Sequence, residues 1–324
     1  MSSKQPNDAP PSRKEAASTI EPVRLVMSID CEALQQSIAD PALGERSTRG
    51  FADVLEANKL RGTFYVISPD LEAHAAVYRD LDRRGHEVGV HIHAGEHDAP
   101  EFLGLLSAEE QRRVIQDNVD RFAQVMGRPP LSVCLGYGSA NDATYPLLAD
   151  AGFRHGGASI PGRRLPQCAS CWDGAPLDVH YAHRWFRMLP GDLDFVEIPP
   201  TVDPDSRMWG GKHCQDLRIE LVDAKSHWHL MDKTIARQVR DGVAMPVVRA
   251  TTHNIFEYDD PRNFRRQTLE GTIQGFLDIC QRRELSWQTA TSADVAERFR
   301  ALHSLPTTAA VPELDTRGRQ FTKA

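Results

Sequence analysis

The sequence lacks the features that mark several large classes of protein. No run of about 18 consecutive apolar residues occurs, so the sequence predicts no membrane-spanning helix. Long runs of lysine or arginine are also absent and the formal net charge is −7, which argues against nucleic acid as the main partner. The polar, proline-rich N-terminus has no apolar stretch of the kind found in secretory signals, so we expect a cytoplasmic protein.

Cysteine is also sparse. Six cysteines lie scattered along 324 residues, which favours free thiols or metal ligands over a disulfide framework. Cys168 and Cys171 form a single CxxC pair, which could hold a structural zinc ion together with His180 and His183. Because a second CxxC pair is missing, this zinc site is the weaker interpretation, and free thiols in a loop are the stronger one.

What the sequence has is an alternation of short apolar runs with segments of helical periodicity. Parallel strands joined by helices give this alternation, in an open sheet or in a barrel. Ser107 and Glu110 form a capping box that predicts the start of one helix. The predicted strands cover 23–29, 62–68, 86–92, 131–135, 153–159, 195–198, 246–251 and 285–289. The predicted helices include 70–84, 141–151, 215–240 and 263–283.

The domain organisation predicted from these patterns is simple. We expect one catalytic domain over 22–304. Within it, the stretch 160–194 is irregular and rich in Pro, Cys, His and Trp, and is predicted to be a long loop insertion. The polar residues on either side, 1–21 and 305–324, are predicted to be flexible tails.

Polar residues with well-known chemistry follow the predicted strands at their C-terminal ends. They are Asp30 and Glu32 after the first strand, His91, His93 and His97 after the third, Tyr137 and Asn141 after the fourth, and His253 after a late one. In a barrel of parallel strands these ends form one face, where active sites gather. The sequence therefore predicts one functional site at this face.

The histidine-rich segment 84–97 indicates a metal site. Imidazoles this dense, at the end of a strand, suit a divalent transition metal, zinc first, with cobalt, nickel or iron as alternatives. His91 and His93 share one face of the predicted strand, whereas His97 reaches the site only if the loop curls back. We expect two of these three histidines to be ligands, and the sequence leaves the choice open.

Several motifs of this chain resemble those of one known family. In order along residues 23–300 they are Ser28–Glu32, Leu60–Val66, Gly85–His91, Leu131–Gly152 and Val247–His253. Together they resemble the motifs of the polysaccharide deacetylase (NodB-homology, carbohydrate esterase family 4) superfamily. The resemblance implies an α/β protein with a distorted (β/α)7-type barrel. It also implies a divalent metal held by one acidic residue and two histidines.

The resemblance assigns roles to individual residues. Glu32 would be the carboxylate ligand and Asp30 the general base, although the two roles could be exchanged. His253 would be the general acid, which suits a side chain that titrates near neutral pH. Tyr137 and Asn141, in the third motif, are candidate substrate-binding residues.

The chain also departs from the family pattern. Cys31 separates the two acidic residues, and Gly95 stands where a second histidine is usual, so that His93 and His97 take the i, i+4 spacing. Cys134 or Leu135 occupies the place of the arginine in the third motif. A further departure is the lack of a secretion signal, which disfavours cell-wall peptidoglycan or chitin as the expected substrate.

The predicted function is that of a metal-dependent amidohydrolase. It would remove an acetyl or formyl group from the nitrogen of a soluble amino sugar, nucleotide sugar or natural-product precursor. The expected partner is this small-molecule or sugar substrate, with neither nucleic acid nor membrane. Two alternatives stay open: a cyclic amide or ureide hydrolase of the allantoinase-like type, and a catalytically silent barrel that binds a small molecule.

Overall fold

The fold is given by a computed structural model that describes residues 21–35, 40 and 42–309. Most of the two predicted tails, residues 1–20 and 310–324, lies outside the described residues. Glu21, the last residue of the predicted N-terminal tail 1–21, is described. Its carboxylate forms ion pairs with Arg24 at 2.9 Å and with Arg298 at 2.5 Å.

Strands and helices alternate along the described chain, as the sequence predicts. The strands are β1 (Val23–Cys31), β2 (Gly62–Val66), β3 (Glu87–Ile92), β4 (Ser132–Leu135), β5 (His155–Gly157), β6 (Arg164–Leu165), β7 (Ser170–Cys171), β8 (His180–Tyr181), β9 (Val196–Glu197), β10 (Val202–Met208), β11 (His213–Asp216), β12 (Val247–His253) and β13 (Trp287–Ala290). The α-helices are α1 (Leu43–Ala57), α2 (Ser68–Ala73), α3 (Ala75–Arg83), α4 (Ala108–Met126), α5 (Thr144–Asp150), α6 (Ala224–Arg240), α7 (Phe264–Arg282) and α8 (Ser292–Leu302).

Nine of the described strands form one curled sheet. Its order is β12–β1–β2–β3–β4–β5–β9–β8, and β13 pairs with the first residues of β1. Every pairing is parallel except that of β8 with β9. β1 lies inside this sheet and is buried along its whole length. Burial on both faces explains why its sequence is nearly continuous in apolar residues instead of alternating.

An irregular segment, rather than a strand, continues the wall from β9 to β12. The amide of Ile198 donates to the carbonyl of Gly156 at 2.8 Å, and the amide of Thr201 donates to the carbonyl of Arg249 at 3.1 Å. The amide of Leu217 then donates to the carbonyl of Thr201 at 2.8 Å. The result is an incomplete, distorted barrel, which confirms the predicted fold class.

Two predicted segments differ from the structure. The predicted helix 215–240 begins too early, because α6 starts after Asp223, whose carboxylate caps its first turn. Residues 213–216 instead form β11, which pairs antiparallel with β10. The stretch 160–194, predicted as one long loop, contains the short strands β6, β7 and β8.

The helices can be compared with two predictions from the sequence, the capping box at Ser107 and the lack of a membrane-spanning helix. The predicted capping box is confirmed at the start of α4, where the Ser107 hydroxyl accepts from the Glu110 amide at 3.3 Å. The Glu110 carboxylate in turn accepts from the Ser107 amide at 2.8 Å. Of the helices in the described part of the chain, none is both long enough and apolar enough to cross a membrane.

Candidate metal centre and active site

The C-terminal ends of β1, β3 and β12 bring together polar side chains that are far apart in the sequence. Asp30 lies opposite His253 in the parallel register of β1 and β12. Glu32 follows β1 directly, and His91 and His93 come from the end of β3. All five line one cavity of about 190 Å³. This is the single face at which the sequence predicts the functional site.

Three of these side chains converge on one point. The Oε2 atom of Glu32 lies 3.2 Å from Nε2 of His91 and 3.0 Å from Nε2 of His93. The two Nε2 atoms lie 3.0 Å from each other. Ligands about 2.0–2.1 Å from a tetrahedral zinc ion are roughly 3.3 Å apart. The spacing and the chemistry of this donor set therefore fit one divalent metal ion.

His93 is oriented by the residues around it. Its Nδ1 atom lies 2.6 Å from Oε1 of Glu101, a contact that directs Nε2 towards Glu32. Burial alone would lower the pKa of His93, but hydrogen bonds to Glu101 and Glu32 raise it to about 9. Gly136 packs against the ring, and a Cβ atom at that position would lie 2.6 Å from Nε2. The position of His93 therefore depends on a carboxylate on one side and a glycine on the other.

Asp30 and His253 lie beside this cluster. Nε2 of His253 is 4.0 Å from Oδ2 of Asp30, and its Nδ1 is 2.6 Å from Oε1 of Glu220. Oδ1 of Asp30 is buried and has no hydrogen-bond partner among the described residues. Burial lowers the pKa of His253, but the charge of Glu220 and its hydrogen bond raise it to about 9. The site therefore holds a carboxylate oxygen ready to accept a proton and an imidazolium able to donate one.

The structure also separates residues that the sequence grouped together. His97 lies outside the cluster. Its Nδ1 is 2.5 Å from Oδ2 of Asp117, and its Nε2 is 2.8 Å from the side-chain nitrogen Nδ2 of Asn118. Asn141 does not line the cavity, because its side-chain amide donates to the carbonyls of Gly104 and Leu106 and its Oδ1 caps the following turn. The structure thus places neither His97 nor Asn141 at the site.

Tyr137 lies at the cavity, as predicted for a residue that contacts substrate. Its ring centroid is 5.4 Å from that of His93, and 45% of the residue is exposed. Its φ of 59° is in the left-handed region, which a bulky side chain seldom adopts. The tyrosine ring therefore forms part of the cavity wall next to a candidate ligand.

The cysteines do not form the zinc site that the CxxC pair allows. Among the residues that the structure describes, Cys168, Cys171, His180 and His183 are not close enough to hold one ion. Cys134 does lie close to Asp30 and His91. Burial raises the pKa of its thiol well above the usual range, so the thiol is protonated and behaves as a small apolar group.

Sequence reasoning missed the segment 216–220. The segment lies within the predicted helix 215–240. In the sequence, however, Asp216, Arg218 and Glu220 alternate with Leu217 and Ile219, which are buried. A period of two indicates an extended segment with one polar face. The structure shows this segment beside β12, where it delivers Glu220 to His253.

The contacts of Glu220 show how it is held. Its Oε2 accepts a hydrogen bond from the Thr252 hydroxyl at 2.9 Å, while Oε1 faces His253. Asn254 has a comparable role on the other side, because its Oδ1 accepts from the amide of Glu32 at 2.9 Å. Both residues lie outside the predicted motifs. The alternation over 216–220 predicts an extended segment, but it does not indicate that Glu220 contacts His253.

Comparisons with known proteins agree with this geometry. The sequence profile of the family described as polysaccharide deacetylase matches residues 39–156, which include His91 and His93. The predicted resemblance to that family is confirmed. The family match supports a deacetylase. A search of curated proteins gave no match.

Solved structures with the polysaccharide deacetylase fold resemble most of the chain. One from Mycobacterium smegmatis, assigned to the polysaccharide deacetylases, shares 17% identity over 91% of this chain and 96% of its own, with a TM-score of 0.56. One from Pseudomonas aeruginosa PAO1 with a similar assignment shares 14% identity over 91% and 96%, with a TM-score of 0.57. The Puue allantoinase shares 14% identity over 87% and 90%, with a TM-score of 0.56. At sequence identities this low, the structural similarity shows a common fold and nothing about activity.

Proposed function

We propose that this protein is a metal-dependent deacylase that hydrolyses an N-acetyl or N-formyl amide on an amino sugar or a related small molecule. The observation that carries the proposal is the convergence of Glu32, His91 and His93 to within 3.0–3.2 Å, beside Asp30 and the His253–Glu220 pair. The match of residues 39–156 to the polysaccharide deacetylase family supports the same chemistry.

Glu32, His91 and His93 would hold the ion. When bound, a divalent ion with open positions supplies a polarised carbonyl and a water of lowered pKa. Zinc suits two imidazoles and one carboxylate, and cobalt, nickel and iron accept the same ligands. Glu101 keeps the tautomer of His93 that presents Nε2, because its carboxylate accepts the proton on Nδ1.

Asp30 is the general base of the proposed reaction. Asp30 lines the cavity, and its Oδ1 has no hydrogen-bond partner in the described structure, so the carboxylate can accept a proton from the attacking water. Water adds to the acyl carbon as this proton moves to Asp30. The structure supports this assignment over the exchanged one, because Glu32 and not Asp30 lies within 3.2 Å of both histidines.

His253 is the general acid. Glu220 keeps it protonated at neutral pH, so Nε2 carries a proton that faces the cavity. Cleavage of the C–N bond requires a proton on the leaving nitrogen, and His253 donates it. The products are a carboxylic acid and an amine, and a proton passes from the acid to the amine to give a carboxylate and an ammonium ion. The proton that Asp30 accepted returns to His253, so both groups are restored.

Metal content and acyl release test the proposal together. The protein is reconstituted with zinc, and bound metal is measured for the wild type and for His91→Ala, His93→Ala and His97→Ala. We expect about one equivalent in the wild type and in His97→Ala, and loss of the metal in the other two variants. Release of acetate or formate is then measured on a panel of N-acylated amino sugars.

His97→Ala is the matched control, because it removes a buried histidine from the same segment outside the ligand cluster. Equal metal loss in all three variants would show a structural effect instead of a ligand role. Metal binding without acyl release, but with ring opening of a cyclic ureide, would replace the proposed reaction by the allantoinase-like one. A wild type that binds no metal would refute the proposal.

A further inference from the structure

Arginine side chains line a part of the cavity that the proposed reaction does not use. Arg163 follows the start of the stretch 160–194, Arg218 lies in the extended segment 216–220, and Arg249 belongs to β12. All three line the same cavity as the candidate metal ligands. Each has a buried guanidinium nitrogen that lacks a hydrogen-bond partner in the described part of the chain. Buried donors of this kind are costly unless something accepts from them.

Arg163 is the clearest case. It is 3% exposed, and one Nη atom donates to the carbonyl of Tyr137 at 2.9 Å while Nε lies 3.4 Å from Nδ1 of His213. The other Nη atom has no partner among the described residues, and none of their carboxylates forms an ion pair with Arg163. Burial lowers its pKa to about 10, so the guanidinium is still charged at neutral pH. A buried charge in this position calls for an anion.

Arg218 lines the same cavity, and its charge, unlike that of Arg163, is paired with a carboxylate. One Nη atom is 2.9 Å from Oδ2 of Asp216, and Nε lies 4.0 Å from Glu220 without a hydrogen bond. The same Oδ2 of Asp216 is also 3.2 Å from Nε2 of His213. Asp216 is therefore already engaged by Arg218 and His213. Its charge acts on Arg163 from a distance, but the described residues show no ion pair between the two.

Trp209 lies over Arg163 at the edge of this group. The guanidinium carbon of Arg163 is 5.6 Å from the centroid of the tryptophan ring, which stacks on His213 at 4.5 Å. The residue is 45% exposed and has a φ of 52°, in the left-handed region. A bulky residue in this conformation carries backbone strain, and such strain is concentrated at functional sites.

The charge of the cavity points in the same direction. The three arginines face three lining carboxylates, those of Asp30, Glu32 and Asp216. The formal charges of these six groups cancel. A divalent metal ion at the predicted site would add two positive charges, so the loaded cavity favours an anionic ligand.

We propose that Arg163 and Arg218 bind an anionic group, a carboxylate or a phosphate, on the substrate whose acyl group is hydrolysed at the metal centre. The inference rests on the proposed function and adds the class of substrate to it. Guanidinium groups suit both anions, because two N–H donors of one arginine can meet two oxygens. Trp209 packs against Arg163 and His213 and so helps to hold the Arg163 guanidinium in place.

Three matched compounds test this with the zinc-loaded full-length protein. N-acetylglucosamine is neutral, N-acetylmuramic acid adds a carboxylate, and N-acetylglucosamine 6-phosphate adds a phosphate. Affinity is measured by calorimetry, and kcat/KM by acetate release. We expect at least one anionic compound to be favoured over the neutral one by about 10-fold or more, as hydrogen bonds to charged groups allow. The favoured compound identifies the anion.

Variants connect this preference to the arginines. Arg163→Met is expected to lower the ratio of anionic to neutral kcat/KM by about 10- to 100-fold, mainly through KM. Arg163→Lys, which keeps the charge and the fold but not the paired donors, should lower it less. Arg164→Met is the matched control. It removes an exposed arginine that pairs with Asp173 at 2.7 Å outside the cavity, and the ratio should not change.

The outcomes separate this inference from the proposed function. Metal binding and acetate release without any preference for the anionic compounds would overturn the inference and leave the function intact. Anion-selective binding that Arg163→Met abolishes, in a protein that binds no metal, would support the arginine site and refute the hydrolase. If neither anionic compound nor inorganic phosphate binds at about 10 mM, the inference fails. A preference that persists in both Arg163→Met and Arg218→Met also overturns it.

Discussion

Two walls of one cavity are built from different kinds of chain. The metal wall (Glu32, His91 and His93) stands at the ends of β1 and β3. The sheet register fixes His91 and the strand residues next to Glu32 and His93. The arginine wall (Arg163 and Arg218) comes from the irregular chain before β6 and from the segment after β11, with Trp209 packed against Arg163. The regular strands hold three ligand atoms near one another, and the irregular segments vary what surrounds them. The proposed chemistry and the proposed specificity therefore come from different parts of the fold.

The polar groups of the two walls also differ in how they are satisfied. In the metal wall the facing atoms contact one another, and Glu101 supports His93 from behind. In the arginine wall, Arg163 keeps a buried donor without an acceptor in the described structure. A site that is complete by itself suits a resident ion, whereas a site with an unused donor suits a ligand that comes and goes.

The largest expected effect separates the base from the metal wall beside it. Asp30→Asn removes the proton acceptor and keeps the shape, so kcat should fall by about 10²- to 10⁴-fold while bound zinc stays at one equivalent. Glu32→Gln is the matched variant, and it should lose the metal. Elemental analysis and acyl release are measured on both. If Asp30→Asn loses the metal and Glu32→Gln keeps it, the two roles are exchanged.

The second effect is on the acid. Glu220→Gln removes the charge that keeps His253 protonated, so the pKa of His253 falls and kcat at pH 7 should drop by about 10- to 100-fold. In the wild type the acid is lost as pH rises through about 9, and in the variant this alkaline limb should move to lower pH. The pH profile of kcat tests this.

The control for Glu220→Gln is Glu257→Gln. Glu257 is exposed and accepts from Asn263 at 2.9 Å, outside the cavity, so neither limb of the pH profile should move. An unshifted alkaline limb in Glu220→Gln, with normal folding, would contradict the assignment of His253 as the acid.

The contrast between the walls also explains which residues of the candidate site could be predicted from the sequence. The metal wall follows from local rules: apolar runs give strands, their parallel ends share one face, and alternate residues point the same way. Those rules predict that Asp30, Glu32, His91 and His93 meet at one face, and the structure brings all four to one cavity. They could not choose between His93 and His97, because that choice depends on the turn after β3. There His97 meets Asp117 and Asn118 of α4 instead of the cavity.

The arginine wall was harder to predict for a physical reason. Its segments pair through single backbone bonds, such as those of Thr201 and Leu217, and not through long ladders. The alternation over 216–220 is short, and α6 begins only a few residues later, so its period of two is hard to separate from the helical pattern that follows. Long-range contacts decide the conformation there, and the position of Arg163 in the cavity depends on them.

A smaller effect tests the contact between His93 and Gly136, which lies directly after β4. Gly136→Ala places a Cβ atom 2.6 Å from Nε2 of His93, so the ring must shift and zinc affinity should fall by about 10-fold or more. Competition with a chelator measures the affinity. Gly174→Ala is the comparison, because its added Cβ atom meets nothing within 4 Å although its φ of 89° makes the substitution strained. An equal loss of affinity in both would mean that general destabilisation, not the contact with His93, is responsible.

The smallest effect concerns the part of the fold that local sequence determines best. Ser107→Ala removes the hydroxyl that caps α4 and should lower the free energy of unfolding by about 1 kcal/mol in a urea titration. Zinc content and acyl release should stay unchanged, because the capping contacts do not touch the cavity. Glu109→Ala, in the same turn but outside the capping box, should change stability less. A loss of zinc in Ser107→Ala would show that α4 positions the metal wall through His97, and the two walls would then not be separable from the helices behind them.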